Sequence, residues 1–477
     1  MAAENPESVG KSGAAASLAG ASIMPANDAA ATPRAPFGIA LSPPHAKSAI
    51  TLHGTPRLTP AFVLLSFEGP DRYSHAGGLG SRVSGLAAAL AQEGYETHLF
   101  YIGAPDLPGY EVSCNGNLHL HRWCQWISLY HQGGVYDGEE GKIYDWNTSL
   151  PSWIEEHLLP RLVQTHQPVM VIGEEWHTSW SIVRLSRGAQ ERGWRDRVRF
   201  YWNANNSFGF ERVPWRELEA AATITTVSRF MKHEMWRCGV DPHVIPNGIA
   251  NQWLEPWDRG TVQAIKRSTA GRLVLAKVAR WDPDKRWLMA VDAVGELKTR
   301  GLRPLLVARG GIEEHGREVV ARARMVGLAA TSVSCPDSSP AALWRAIATA
   351  QPSDVIFVEN ALSRPQLQCL YRASDGVLAN SGIEPFGLVG LEAMACGGLS
   401  FLGATGEDYA TPGHDAISLQ TSSPRELVAH LLYLREHPNY ATRLRLQARR
   451  TASRFTWDRV IRAHIAPMLT SPALPAA

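Results

Sequence analysis

The sequence predicts an α/β protein made of two doubly wound parallel sheets facing each other across a cleft, and three features predict it. The chain has 477 residues, more than a single hydrophobic core usually serves, so two domains are expected. Short apolar runs suited to strands covered on both faces alternate with segments of helical period, the order that yields parallel strands with helical crossovers. The alternation stops at residues 244–260 (VIPNGIANQWLEPWDRG), which are rich in turn formers, and then starts again.

Residues 1–58 are rich in Ala, Ser, Pro and Gly and poor in aromatics. Such a stretch buries too little apolar surface to offset its ordering entropy, so a disordered tail is expected. The first strand is AFVLLSF from Ala61. After a glycine-rich loop, residues 79–93 form a helix with Val83, Leu86 and Leu90 on one face and a stop at Gly94. The series continues with strand ETHLFYI from Glu96, a helix at 152–163, strand PVMVIG from Pro168 and a helix from Thr178. Strands VRFYW from Val198 and ATITTV from Ala222 follow, then a helix from Arg229. These elements make a Rossmann-like domain at 59–255. Strands RLVLAKVA at Arg272, PLLVARGG at Pro304, DVIFVE at Asp354, GVLAN at Gly376 and AISL at Ala416 make a second one at 256–454, leaving a helix and tail at 455–477.

The balance of 47 Lys+Arg against 45 Asp+Glu leaves a charge of +2, which gives no reason to expect nucleic acid as a partner. Six scattered cysteines show neither metal-ligand spacing nor a disulfide framework, as expected of buried thiols in a reducing compartment. No apolar run is long enough to span a membrane, and no basic patch precedes an apolar stretch at the N-terminus. A cytoplasmic protein without integral membrane association is expected; its oligomeric state is left open.

In such folds ligands bind at the carboxyl ends of strands. Strand GVLAN ends at Asn380, the loop SGIEPFG follows, and a helix starts near Gly387. Free N–H groups and the positive end of the helix dipole would converge there, with Phe386, Gly387, Leu388 and Val389 forming a seat for a phosphate. Glu392 stands in the second turn of an otherwise apolar helix, where a ribose diol would satisfy it. Glu384, ahead of the helix, could accept hydrogen bonds from sugar hydroxyls; the plain alternative is a dipole-compensating Glu384 and a solvated Glu392. The strand from Arg272 leads into Arg280-Trp281-Asp282-Pro283-Asp284-Lys285 before another helix. Cations there oppose the dipole unless an anion joins them, and a diphosphate would suit both Arg280 and Lys285. The alternative is a surface ion-pair cluster with Asp282 and Asp284.

The motif EPFGLVGLEAMACGG, with Glu384 and Glu392 eight apart, together with Arg280 and Lys285 five apart, resembles the retaining GT-B glycosyltransferases that include glycogen synthases, sucrose synthases and bacterial mannosyltransferases. The resemblance spans about residues 61–469. It implies that Glu384 contacts the donor sugar, Glu392 the ribose, and Arg280 with Lys285 the diphosphate. The 59–255 domain would take the acceptor side and the 256–454 domain the donor side. FTWDRVIRAHIAPML from Phe455 resembles the last helix by which that family's C-terminus returns to the first domain.

In the N-terminal half, Gly77 and Gly78 match the family's loop over donor phosphates or acceptor, or else form a plain tight turn. Storage-glucan synthases carry Lys-Thr-Gly-Gly-Leu there; here His75-Ala76-Gly77-Gly78-Leu79 stands instead, which argues against that product. His177 in Glu174-Glu175-Trp176-His177 is similar to the family's histidine near the donor sugar, or else it caps a helix or fills the core. Glu174 or Glu175 could position an acceptor hydroxyl.

The resemblance implies retaining transfer of a hexose from a nucleoside-diphosphate sugar to a saccharide or small-molecule hydroxyl, with no metal and no other cofactor. Asp282 and Asp284 have metal-binding spacing but sit beside two cations. The other readings are a nucleotide-sugar epimerase or hydrolase, and a silent nucleotide-sugar-binding regulator. A dehydrogenase is disfavoured because no Gly-x-Gly-x-x-Gly follows the first strand.

Overall fold

The computed structural model describes residues 59–335 and 337–470, so the expected N-terminal tail and residues 471–477 lie outside the described residues. The first sheet contains β1 (Ala61–Leu65), β2 (Glu96–Ile102), β3 (Tyr110–Ser113), β4 (Leu118–Trp123), β5 (Val169–Glu174), β6 (Val198–Ala204), β7 (Thr223–Thr226) and β8 (His243–Val244). Its order is β3-β4-β2-β1-β5-β6-β7-β8. All pairings are parallel except β3 with β4. The second sheet contains β9 (Leu273–Val278), β10 (Pro304–Arg309), β11 (Ala330–Val333), β12 (Val355–Val358), β13 (Gly376–Ala379), β14 (Ser400–Leu402) and β15 (Ile417–Ser418). It is wholly parallel, in the order β11-β12-β10-β9-β13-β14-β15. Two doubly wound α/β domains are therefore present.

The central strands owe their position to continuous apolar sequence. AFVLL of β1 and VMVIGE of β5 are buried at every residue, because helices cover both faces of the sheet. Helix Gly78–Gln92 buries Leu79, Val83, Leu86 and Leu90 on one side. The helix expected at 152–163 is the end of a longer run comprising Glu139–Trp153, a π-helical turn Ile154–Leu158 and Leu159–Thr165. Trp146, Leu150, Ile154 and Leu158, four apart, form its buried stripe. The segment 244–260, read as a bare connection, contains the 3₁₀ turn Asn251–Leu254 and the start of helix Arg259–Ser268.

The chain returns to the first domain after helix Pro438–Ala452. Thr456 bridges to Ile249, Trp457 lies against Gly85 so closely that a Cβ there would come within 2.4 Å of its indole, and Arg462 pairs with Glu93 at 3.1 Å. Trp457, Val460, Ile461 and Ile465 join Phe62, Leu64, Leu86 and Leu90 in one apolar cluster. No helix among the described residues is long and apolar enough to cross a membrane.

Candidate active site

β9 and β13 are neighbours, with Leu275 opposite Gly376 and Ala276 opposite Val377, so the loops after both strands meet at one edge of the second sheet. This register explains how residues 99 apart form the pair Lys285 Nζ to Glu384 Oε2 at 2.9 Å. The same oxygen accepts from Ser381 Oγ at 2.9 Å. Asp282 accepts from the Asp284 N–H at 2.8 Å, and Asp284 Oδ1 accepts from the Ile383 N–H at 2.9 Å. Both aspartates are thus spent on fixing loop geometry. Arg280 is exposed and its guanidinium has no partner among the described residues, while its carbonyl accepts from Trp287 Nε1 at 2.7 Å. Lys277 lies buried beneath the pair, donating to Asn380 Oδ1 at 2.6 Å; burial, reinforced by Lys285, pulls it down to about 7.

Gly387 precedes helix Leu388–Ala395 with φ +82°, and a Cβ there would fall 2.9 Å from Glu407 Cγ and 3.1 Å from Tyr409 Oη. Only glycine adopts this conformation at no cost in a space so close to other groups. No side chain caps the helix, and among the described residues the N–H groups of Leu388, Val389 and Gly390 have no protein acceptor. They form the expected open anion seat. The Phe386 side chain corrects its expectation: it is buried against the Tyr409 ring, 5.3 Å between centroids, and faces the core. Leu388 and Val389 likewise pack on the core and offer only main chain.

Glu392 has no hydrogen-bond partner among the described residues, and burial pushes its carboxyl up to about 8. Glu407, which no local sequence signal singles out, contributes a buried Oε1 without a partner among the described residues and is pushed up to about 7, chiefly by burial and then by Glu384. Beside Arg280 opens a cavity of about 790 Å³, lined by Trp281, Gly310, Gly311, Phe357, Val358 and Glu359 among others.

The N-terminal half is built differently. Glu68, four percent exposed, fills the start of helix Gly78–Gln92: its Oε2 accepts from the N–H groups of Ala76 at 3.1 Å, Gly77 at 2.9 Å and Gly80 at 2.9 Å. Its Oε1 accepts from Tyr136 Oη at 2.7 Å. The Gly77 N–H is therefore not free for a donor phosphate, a correction to its expected role. The Gly78 N–H has no protein acceptor among the described residues, and a Cβ on Gly77 or Gly78 would meet nothing within 4 Å.

Glu174 is held by Arg82 Nε at 3.0 Å and by the side-chain amides of Asn203 and Asn205 at 2.9 and 2.8 Å, a saturated buried network. Glu175 differs: its backbone stands at φ +68°, a strained region for a residue with a side chain, and its carboxyl is pushed up to about 8 by burial. Only Oε1 is engaged, by the Asn205 N–H at 2.8 Å and Asn206 Nδ2 at 3.1 Å. His177 is enclosed rather than open to the cleft, stacked on Phe67 at 4.2 Å and Trp176 at 3.9 Å. Burial holds it below the usual imidazole range. Nε2 faces Glu139 Oε1 at 2.8 Å, and a carboxylate only accepts, so Nε2 carries the proton; Nδ1 is buried and unpartnered.

Far from this site, ligand atoms of Glu96, His98 and His119 lie within 4.8 Å of one another. Arg161 Nη2 already binds Glu96 Oε1 at 2.5 Å and approaches His98 Nε2 to 3.4 Å, so a guanidinium occupies the place a metal ion would need.

Two facing Rossmann-like domains, with an uncapped helix start, the exposed Arg280, the Lys285–Glu384 pair and buried carboxyls at the strand ends of the second, define the GT-B class of glycosyltransferases. Residues 76–252 match the family model described as Glycosyltransferase Family 4, and residues 259–451 match the model described as Glycosyl transferases group 1. The chain belongs to the GT-B glycosyltransferases that carry these two domains. It is similar to the D-inositol 3-phosphate glycosyltransferase of Rhodococcus erythropolis, 27% identical over 238 residues, covering 47% of this chain and 48% of that protein. The matched segments span between 25% and 48% of the length of the curated relatives. Among solved structures, sucrose-phosphate synthase from Thermosynechococcus elongatus superposes with TM-score 0.61 at 17% identity, covering 86% of this chain and 99% of that one. Anabaena HepE in complex with UDP gives TM-score 0.57 at 14% identity, with coverage of 86% and 99%. At these identities the likeness is one of fold.

Proposed function

We propose that the chain transfers a hexose, with retention, from a nucleoside-diphosphate sugar to an acceptor hydroxyl on a saccharide or small molecule. The observation that carries this reading is the uncapped start of helix Leu388–Ala395, flanked by the unpaired Arg280 and the Lys285–Glu384 pair. The diphosphate takes the Leu388 and Val389 N–H groups and the two cations, and the ribose hydroxyls donate to Glu392, which has no other donor among the described residues. The base enters the cavity behind Trp281, and Glu384 receives hydroxyls of the sugar. That the Anabaena neighbour is solved in complex with UDP supports a nucleoside diphosphate as the ligand type.

In the reaction, the acceptor oxygen bonds to the anomeric carbon as the bond to the diphosphate oxygen breaks, and the acceptor proton passes to the departing phosphate on the same face. Retention rests on the family's mechanism. Charge developing on the leaving group meets fixed donors, which commonly supply the largest part of such catalysis. Arg280 and Lys285 do this without a metal. His177, enclosed as it is, acts as a positioning residue that holds Glu139.

Incubating the protein with a panel of nucleotide sugars and acceptors, and measuring nucleoside diphosphate release and product, tests the reading. Arg280→Ala and Glu384→Ala should each lower kcat/KM by about 10²–10³-fold with unchanged circular dichroism. Near-normal turnover in both variants would overturn the site assignment.

A further inference from the structure

A second cavity, of about 570 Å³, lies where the chain crosses back to the first domain, between the loop at 411–415, the end of helix Pro438–Ala452 and the returning segment from Phe455. Arg450, Arg454 and Arg459 line it, together with His414 and His464. All three arginines are exposed, and none of their guanidinium groups has an ion pair or hydrogen bond among the described residues. Of the other arginines on the same elements, Arg443 stands over the Tyr440 ring and the rest are committed to oxygen partners. Arg445 donates to the Ser374 carbonyl at 2.7 Å, Arg449 to the carbonyls of Ala395 and Leu254, and Arg462 pairs with Glu93. Arg450, Arg454 and Arg459, whose guanidiniums have no oxygen partner among the described residues, thus share one concavity.

The wall contains a single acid, Asp415, which is buried and spent: it accepts from the Thr411 N–H at 2.7 Å and from Thr451 Oγ1 at 2.7 Å. Complementing a helix dipole accounts for Arg450, which stands in the last turn of its helix. Arg459, in the four-residue helix Trp457–Val460, has no ion pair among the described residues that accounts for its place. Like charges lining one concave surface repel unless an anion joins them, and guanidinium forks match phosphate oxygens two at a time. The volume falls in the range of small-molecule sites.

We propose that this cavity is a binding site for a phosphorylated small molecule, separate from the donor site and independent of the transfer reaction assigned to it. Tyr409 is shared between the two: it lines the cavity, and its hydroxyl donates to the Gly387 carbonyl at 2.7 Å. An occupant would therefore abut the residue that backs the donor seat.

The full chain is titrated calorimetrically with glucose 6-phosphate and, separately, with inorganic phosphate. Saturable binding is expected, weakened about 10-fold or more by Arg454→Ala and by Arg459→Ala, partly retained in Arg454→Lys, and unchanged in Arg280→Ala. Tighter binding of glucose 6-phosphate identifies a sugar phosphate as the ligand type, and equal affinity identifies free phosphate; both support the site. These arginines are exposed, so the variants should keep the wild-type melting temperature, which is measured alongside. Absence of saturable binding for both probes overturns the proposal, as does binding that the cavity variants leave within twofold or that Arg280→Ala abolishes.

Discussion

The molecule contains two glycine-rich turns that each open a helix at the end of a parallel strand system, and they differ in who supplies the anion. At the helix starting with Gly78, the chain's own Glu68 accepts three main-chain N–H groups. At the helix starting with Leu388, no side chain caps the N–H groups, and the loop ahead of it carries Glu384 paired with Lys285. The same local device is thus closed in one domain and open in the other. A helix start is satisfied either way, but only the open one has donors left for a ligand.

The largest effect should come from the glycines. Gly387→Ala forces a Cβ into a positive-φ position against Glu407 and Tyr409. It should cost about 1–3 kcal/mol in chemical denaturation, whereas Gly77→Ala, which meets nothing, should change stability by less than about 0.5 kcal/mol. Equal effects would remove the distinction between the two turns.

Next comes Glu68→Gln. Replacing the carboxylate that gathers three N–H groups should cost about 1–2 kcal/mol, read as a lowered denaturation midpoint. An unchanged midpoint would mean that water serves those groups equally well.

The third comparison is a pH dependence on the open side. Burial raises Glu392 to about 8 in the folded, ligand-free chain, above its ordinary value of 4.5. Its contribution is fully present below about pH 4.5 and is lost as pH rises through about 8. Glu392→Gln should therefore gain melting temperature relative to wild type between pH 5 and pH 9. A difference that stays constant with pH would show that the carboxyl is solvated.

How much of this could be read in the sequence follows from the range of the interactions involved. The apolar runs of β1, β5, β9 and β13 and the glycine before Leu388 are local signals, and they located the sheets and the open helix start. β3 and β4 were not legible, because β3 is largely exposed and the LHLHRW of β4 carries polar residues on a buried strand. Lys277 meets Asn380 across 103 positions, and Glu407 reaches the site from beyond β14, so neither leaves a mark near the motif it serves. Glu68 was missed for a related reason: a lone Glu before a glycine loop does not reveal that it folds back onto that loop's N–H groups. His177 was found as a residue but not as an enclosed one, since its stacking depends on Phe67, more than a hundred residues away.

Nucleoside diphosphate affinity tests the account most directly, because it asks which helix start receives the phosphates. UDP, GDP and ADP are titrated calorimetrically into wild type, Arg280→Ala and Glu68→Gln, and the nucleotide that binds wild type most tightly is compared across the three. The account predicts that Arg280→Ala weakens binding at least about 10-fold, as for loss of a charge-assisted phosphate contact, while Glu68→Gln leaves it within twofold. Undiminished binding in Arg280→Ala together with a large change in Glu68→Gln would contradict it and move the diphosphate to the other domain.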